Sequence, residues 1–167
     1  LDLKPAEIIY VSCDPVTFAR ELELMLDFYR LTQVRLFELY PHDVVASFPV
    51  PICFDHIGWP DVSLGASHKG IDQLCRLLET GRVWIKLSGL YRLSNAPYKE
   101  TDEIVAALVK ANPERCLWGS DWPHIMLNGA EMPRSGDILD ALDRVVSDAQ
   151  TRQRILVSNP AALYGFS

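Results

Sequence analysis

The stretch RVWIKLSG, residues 82–89, indicates the fold class. Its apolar residues predict a short buried strand, and Ser88 and Gly89 predict a turn at its carboxyl end. Two further stretches have the same form, VPICFDHIG at residues 50–58 and RCLWGSDWPH at residues 115–124. Amphipathic helical patterns separate the three. This alternation predicts an α/β protein with a mainly parallel sheet.

The helical patterns show which segments cover the sheet. Apolar residues recur at helical spacing over residues 71–78 and again over residues 104–109. Gly81 predicts the end of the first helix, and Thr101 predicts the cap of the second. Two closing helices are predicted over residues 135–146 and 149–157. NPAALYGF, residues 159–166, is predicted to form a final turn.

An additional strand–helix–strand pattern precedes these elements. EIIYVSC, residues 7–13, is a short apolar run, Asp14 can cap the helix that follows, and TQVRLFELY at residues 32–40 predicts a second strand. With the three later strands, the pattern predicts a partial (β/α) barrel or an open, mainly parallel sheet. Either arrangement would have about five strands flanked by helices.

Composition excludes several classes of protein. The chain of 167 residues is long enough for one domain but short of the roughly 250 residues of a complete (β/α)₈ barrel. Its net charge of −6 disfavours a nucleic-acid partner. The most apolar stretch, residues 44–54, is shorter than the roughly 20 residues of a membrane-spanning helix. We therefore expect a cytoplasmic protein without nucleic-acid or membrane partners.

The four cysteines are expected to be reduced thiols. They form no CxxC pair of the kind that holds zinc. Cys53, Cys75 and Cys116 are predicted to fill the core, and Cys13 is considered separately below.

Asp121 is the first candidate for chemistry, because it lies just past the last strand. Trp118 and Trp122 flank it, and aromatic neighbours that displace water would raise its pKa and favour a role as general base. The alternative is a turn in which Asp121 accepts hydrogen bonds from main-chain amides. His124, three residues later, is a further candidate.

Three other residues extend the candidate site. His56 could ligate a metal or polarise a carbonyl, with Asp55 orienting its ring, or it could be a structural histidine. Arg92 follows the middle strand and could bind a substrate carboxylate, or it could be an exposed loop residue. His68 lies before a helix, which it could simply cap.

Four blocks in the second part of the chain resemble the carboxy-terminal part of the amidohydrolase superfamily. They are FDHIG, the stretch from HKGIDQ to LYRLS at residues 68–94, PERCLWGSDWPH and RILVSNPAALYGF. The resemblance spans about residues 49–166 and is to the TIM-barrel hydrolases that include 2-pyrone-4,6-dicarboxylate lactonases. It implies that residues 47–167 form the last three strands and closing helices of such a barrel. It also implies hydrolysis of a lactone or a carboxylate ester.

The resemblance also implies roles for the candidate residues. Asp121 would activate water, His56 would polarise the substrate carbonyl, and Arg92 would hold a carboxylate of a small-molecule substrate. His124 and His68 are additional candidates for substrate binding. Many members of the superfamily use a divalent metal, which here would be zinc or manganese on His56 and Asp121. The resemblance to the lactonase branch instead implies a reaction without a metal. The cofactor is therefore left open.

Two departures from the family pattern leave alternatives. Trp59 stands where the dicarboxylate lactonases have an arginine, which questions a dicarboxylate substrate. The chain also has no HxH motif, which the family carries on its first strand. A catalytically inert chimeric or truncated fragment is therefore the alternative to an active hydrolase. A partial barrel is also expected to self-associate as a homo-oligomer to cover its apolar surface.

Residues 8–43 resemble a different family, the carboxy-terminal end of the RNA uracil-5 methyltransferases. Within YVSCDP, Cys13 occupies the position of the cysteine that adds to the uracil ring in that family. Ser47 stands where the family's basic glutamate would be. The resemblance predicts a methyltransferase-like βαβ fragment over residues 1–46, joined to the amidohydrolase-like part at residues 47–167. A remnant of an RNA methyltransferase is the third functional alternative.

Overall fold

The computed structural model describes residues 51–125, 127 and 131–165. In this part of the chain, three parallel strands form one sheet in the order β1, β2, β3. They are β1 Ile52–Phe54, β2 Val83–Leu87 and β3 Cys116–Trp118. Phe54 pairs with Ile85, and Leu87 pairs with Trp118. The α/β class and the parallel sheet are confirmed, while the two strands predicted before residue 41 lie outside the described residues.

Five α-helices accompany these strands in the described ranges. They are α1 Lys69–Glu79, α2 Asp102–Ala111, α3 Ser135–Val145, α4 Ala149–Gln153 and α5 Asn159–Tyr164, with a π-helical turn at Arg154–Ser158 between the last two. The segment predicted as a final turn therefore contains a short helix. None of the described helices is long and apolar enough to cross a membrane.

The ends of α1 and α2 show how local sequence sets their bounds. Gly81 follows α1 with φ +73°, a left-handed conformation that glycine adopts without penalty. Thr101 precedes α2 as predicted, but its hydroxyl donates to the carbonyl oxygen of Tyr98 at 2.7 Å instead of capping the helix. The position predicted for the cap is right, and the predicted capping bond is wrong.

The hydrophobic core lies between the sheet and the helices. Its fully buried side chains include Leu74 and Leu78 of α1, Ile85 of β2, Leu108 of α2 and Ile138 of α3. Each such side chain contributes about 1.5–3 kcal/mol relative to an exposed one. The core thus holds the strand ends, and the loops that follow them, in fixed positions.

Asn159 connects the closing helices to β3. Its side chain is buried, and its Nδ2 donates to the carbonyl oxygens of Pro113 at 2.8 Å and Cys116 at 2.7 Å. Both hydrogen bonds satisfy main-chain acceptors that water cannot reach easily. This buried amide therefore fixes the start of α5 against the last strand.

The cysteines differ from one another in burial. Cys116 is buried and Cys75 is partly buried, as expected of core residues, but Cys53 is exposed. The prediction that Cys53 fills the core is therefore wrong. Cys53 lies on β1, which pairs only with β2 among the described strands, so one edge of β1 has no neighbouring strand there. Cys13 lies outside the described residues.

Candidate active site

The loops after the three strands carry the candidate residues. His56 begins a 3₁₀ turn, His56–Gly58, directly after β1, and Arg92 ends the turn Leu90–Arg92 after β2. Asp121 follows β3 by three residues. Because the strands are parallel, their carboxyl ends meet at one edge of the sheet, where sites in α/β proteins form. The structure brings His56, Arg92 and Asp121 together at this edge.

The imidazole of His56 and the carboxylate of Asp121 face each other across a narrow gap. His56 Nε2 lies 3.9 Å from Asp121 Oδ1, and the two side chains are 17% and 19% exposed. The distance is too long for a direct hydrogen bond. A small group from a substrate or a water molecule can contact both atoms.

The other carboxylate oxygen of Asp121 is held by two donors. The Tyr91 hydroxyl donates to Oδ2 at 2.6 Å, and Arg92 Nε donates to the same oxygen at 2.8 Å. Burial by itself would raise the pKa of Asp121, but these two hydrogen bonds and the nearby His56 ring outweigh it and lower the pKa. Asp121 is therefore ionised at neutral pH.

The lowered pKa of Asp121 corrects the expectation from the sequence. The prediction of a raised pKa assumed that Trp118 and Trp122 shield the carboxylate from water, but Trp122 is 77% exposed. The hydrogen bonds from Tyr91 and Arg92, in the loop after β2, contribute to a net lowering of the pKa in spite of burial. Asp121 can accept a proton because it is charged and oriented, and its basicity is below that of an ordinary aspartate.

His56 is neutral, and its ring contacts Ser88. Burial lowers the pKa of His56, and the charge of Asp121 only partly offsets this. Ser88 Oγ lies 3.0 Å from His56 Nδ1 and 3.3 Å from its main-chain nitrogen. Asp55, which was expected to orient the ring, instead pairs with Lys86 at 2.5 Å. The prediction that Asp55 orients the ring is therefore wrong, because the ring nitrogen contacts Ser88, the residue after β2.

Arg92 is part of the site but is already engaged. Besides its bond to Asp121, its Nη2 donates to the carbonyl oxygen of Ile125 at 3.1 Å, and its guanidinium lies 4.9 Å from the centre of the Tyr91 ring. The Arg92 side chain is only 13% exposed, so it is not a free loop residue. Its binding of a substrate carboxylate stays a prediction.

The other two candidate histidines, His124 and His68, lie in different surroundings. His124 is buried, with its ring centre 5.3 Å from that of Tyr91 in an edge-to-face contact, and its Nδ1 has no hydrogen-bond partner in the described part of the chain. His68 caps α1, because its Nδ1 accepts from the main-chain N–H of Gly70 at 3.2 Å. The structure thus places His124 against the ring of Tyr91 and His68 at the amino terminus of α1.

The backbone around the site adopts uncommon conformations. His56, Ile57, Trp59, Asp121 and His124 all have φ between +49° and +61°. This left-handed region is disfavoured for residues with a side chain, most of all a β-branched one such as Ile57. Such residues cluster at functional sites, where surrounding contacts hold them in place.

Gly89 provides the space that His56 needs. Gly89 has φ +64°, and a Cβ atom at this position would lie 2.5 Å from His56 Nδ1. Glycine is therefore required here both by conformation and by close approach. Sequence reasoning treated Ser88 and Gly89 only as a turn and did not single out Tyr91. The sequence could have pointed to all three residues, because they follow β2 in the same loop as the candidate residue Arg92.

The described residues do not by themselves fit a divalent metal. No group of three or more His, Cys, Asp or Glu residues in the described ranges is placed to hold an ion. A catalytic zinc takes three protein ligands, and His56 and Asp121 supply two. The Arg92 guanidinium, 2.8 Å from Asp121, would also repel a cation.

A short segment at the amino terminus is similar to a different class of protein. It is 46% identical over 41 residues to the 23S rRNA (uracil(1939)-C(5))-methyltransferase RlmD of Yersinia enterocolitica, a match that covers 24% of this chain and 9% of that protein. The similarity to the uracil-5 methyltransferases is thus confirmed for that segment alone. Cys13 and its predicted role lie outside the described residues.

Most of the chain is similar to known hydrolases. It is 38% identical over 126 residues to 4-sulfomuconolactone hydrolase of Rhizobium radiobacter, covering 74% of this chain and 42% of that protein. It is 32% identical over 134 residues to 2-pyrone-4,6-dicarboxylate hydrolase of Comamonas testosteroni, covering 73% and 43%. The chain thus spans about two fifths of the length of these relatives.

Structural and family comparisons agree with this similarity. The crystal structure of an Agrobacterium tumefaciens protein in its apo form superposes with a TM-score of 0.67 and 26% identity, covering 75% of this chain and 45% of that one. The structural neighbours are TIM-barrel proteins of the amidohydrolase superfamily. The amidohydrolase family profile matches residues 13–166, most of the chain. The chain therefore belongs to the amidohydrolase family.

Proposed function

We propose that the protein hydrolyses a lactone or a similar carboxylate ester. The observation that carries the proposal is the 3.9 Å gap between His56 Nε2 and Asp121 Oδ1, at the carboxyl edge of a parallel sheet. The similarity to 4-sulfomuconolactone hydrolase supports the same reaction class. Because the chain spans only part of such relatives, activity and substrate are proposals for this protein.

The geometry supports an attack by water on a carbonyl carbon. The ionised Asp121 accepts a proton from a water molecule in the gap, and the water oxygen forms a bond to the carbonyl carbon. His56 Nε2–H donates to the carbonyl oxygen, where negative charge develops. When the ring C–O bond breaks, the leaving oxygen takes the proton from Asp121. The product carries a new carboxyl group and a new hydroxyl group.

Tyr91 and Arg92 orient the base in this reaction. Both donate to Asp121 Oδ2, so Oδ1 is the oxygen directed at the gap. Burial and the hydrogen bond to Asp121 raise the pKa of Tyr91 to about 12, which keeps its hydroxyl protonated and able to donate. A carboxylate that is already fixed loses less entropy when it binds and deprotonates the attacking water.

The substrate is expected to carry one carboxylate and an apolar face. The guanidinium of Arg92 already donates to Asp121 and to the carbonyl oxygen of Ile125, and it can also donate to such a carboxylate. His124 is a further candidate for a substrate contact. Trp59 is 45% exposed, with its ring centre 5.3 Å from that of His56, and offers an aromatic surface beside the gap. Aromatic surface favours an apolar group over a second anion.

Hydrolysis is tested on the full chain with a panel of lactones, each with and without zinc or manganese. Asp121→Asn should lower kcat by about 10²–10⁴ without unfolding the protein. Asp72→Asn is the matched control, because Asp72 lies on α1 in an exposed pair with Arg76. Unchanged turnover in Asp121→Asn would remove Asp121 from the mechanism. No turnover in the unchanged chain would favour the inert-fragment alternative.

We also propose a cytoplasmic location. In addition, we propose that residues 1–46 form a methyltransferase-like segment distinct from residues 47–167. The short amino-terminal match to an RNA methyltransferase supports this division. Limited proteolysis should then cleave first near residues 43–49.

Self-association as a homo-oligomer is expected from a partial barrel, and size-exclusion chromatography with light scattering measures it.

A further inference from the structure

We propose that Ser88 is a positioning residue that fixes His56 in the neutral tautomer with its proton on Nε2. In this tautomer Nε2 is a hydrogen-bond donor directed at the gap that faces Asp121. The part that Ser88 plays in the reaction rests on the proposed hydrolysis. The tautomer itself rests on the hydrogen bonds of Ser88.

The first argument comes from the hydrogen on the Ser88 hydroxyl. Ser88 is 1% exposed, and its Oγ lies 3.3 Å from the main-chain nitrogen of His56 and 3.0 Å from Nδ1. A main-chain N–H can only donate, so Ser88 Oγ accepts that bond. A buried hydroxyl also needs an acceptor for its own hydrogen. In the described part of the chain, His56 Nδ1 is the acceptor within reach of Ser88 Oγ.

The consequence for the imidazole follows from its two nitrogens. If Nδ1 accepts from Ser88, it carries no proton, and a neutral ring then carries its proton on Nε2. The ring is neutral because burial lowers the pKa of His56, with Arg92 and Lys86 adding to the effect. The charges of Asp121 and Asp55 act in the opposite direction and do not overcome it.

The second argument comes from the atom that Nε2 faces. Asp121 Oδ1 lies 3.9 Å away and belongs to an ionised carboxylate. An N–H directed at this oxygen is attracted by it, whereas a nitrogen lone pair would be repelled. The opposite tautomer would direct a lone pair at the carboxylate and also leave the Ser88 hydrogen without an acceptor. Both contacts therefore favour the same tautomer.

The glycine next to Ser88 makes this contact feasible. A Cβ at Gly89 would come within 2.5 Å of His56 Nδ1, the atom that Ser88 contacts. The missing Cβ at Gly89 thus leaves the space in which His56 Nδ1 approaches the buried Ser88 hydroxyl.

The tautomer can be measured without any substitution. In the full chain with ¹⁵N-labelled histidine, a long-range ¹H–¹⁵N spectrum near pH 7.5 distinguishes a protonated ring nitrogen from a bare one. The His56 signals are identified by their loss in His56→Gln. We expect the proton on Nε2. A His56 signal pattern with the proton on Nδ1 would overturn the proposal, whether or not the protein hydrolyses lactones.

A pair of serine variants then tests the part played by Ser88. In Ser88→Ala the preference for the Nε2–H tautomer should fall about five- to tenfold, because one neutral hydrogen bond is lost. Ser63→Ala, which removes an exposed hydroxyl bonded to Asp61, should leave the His56 signals unchanged. With a hydrolysable lactone, Ser88→Ala should lower kcat with KM nearly constant. An unchanged tautomer in Ser88→Ala would refute the positioning role.

Discussion

Replacing Tyr91 by phenylalanine tests the hydrogen bonds that set the charge on Asp121. The substitution removes one hydroxyl that donates to Asp121 Oδ2 at 2.6 Å and keeps the ring that contacts His124. A hydrogen bond to a charged acceptor contributes about 1.5–3 kcal/mol. The Asp121 side chain is 19% exposed, so partial hydration favours the lower end, about 1.5 kcal/mol, or roughly tenfold in the unfolding constant.

A double-mutant cycle isolates this contribution. The free energy of unfolding is measured by urea denaturation at pH 7 for the unchanged chain, Tyr91→Phe, Asp121→Asn and the double variant. The coupling energy between the two side chains should be about 1.5 kcal/mol. A coupling energy below about 0.3 kcal/mol would show that the Tyr91 hydroxyl does not hold the carboxylate.

The pH dependence gives an independent check with a definite sign. The pKa of Asp121 is lowered in the folded state, so the ionised carboxylate adds stability above its unfolded pKa. That stability is lost as the pH falls through the folded pKa. The destabilisation of Tyr91→Phe should therefore be full at pH 7 and shrink below about pH 4. An equal loss of unfolding free energy in Tyr91→Phe at pH 7 and at pH 3 would refute the reasoning.

Two further predictions concern the scaffold of the site. Gly89→Ala should cost about 1–3 kcal/mol, because Gly89 has positive φ and contacts His56, whereas Gly136→Ala, with open space around it, should change stability by less than about 1 kcal/mol. Asn159→Ala should cost about 2–4 kcal/mol, because the buried carbonyl oxygen of Cys116 and the partly buried one of Pro113 lose their donor, whereas exposed Asn95→Ala should cost less than about 0.5 kcal/mol. Urea denaturation measures all four, and equal costs within either pair would contradict these accounts.

The sequence was sufficient for the strands and for the edge at which the site lies. DHIG, KLSG and GSDWPH each follow a short apolar run, and alternation with helical patterns predicts parallel strands whose carboxyl ends meet. The structure has β1, β2 and β3 in these places. This part could be predicted because apolar spacing and turn residues act over a few neighbouring positions.

The sequence was not sufficient for the partners of the candidate residues. Asp55 is next to His56 along the chain, yet the ring contacts Ser88, 32 residues away. Similarly, the tryptophans beside Asp121 do not determine its pKa, because Tyr91 and Arg92 reach it from 30 and 29 residues away. Proximity along the chain therefore gave the wrong partner for His56 and the wrong direction for the pKa of Asp121.

The sequence by itself determined the α/β class, the three described strands and the loops that carry His56, Arg92 and Asp121, because these follow from local patterns of apolar and turn-forming residues. Only the tertiary structure decided that Tyr91 and Arg92 lower the pKa of Asp121 and that Ser88 contacts the His56 ring. The physical reason is that a hydrogen bond and a charge act over a few ångströms, and folding alone decides which distant residues come that close.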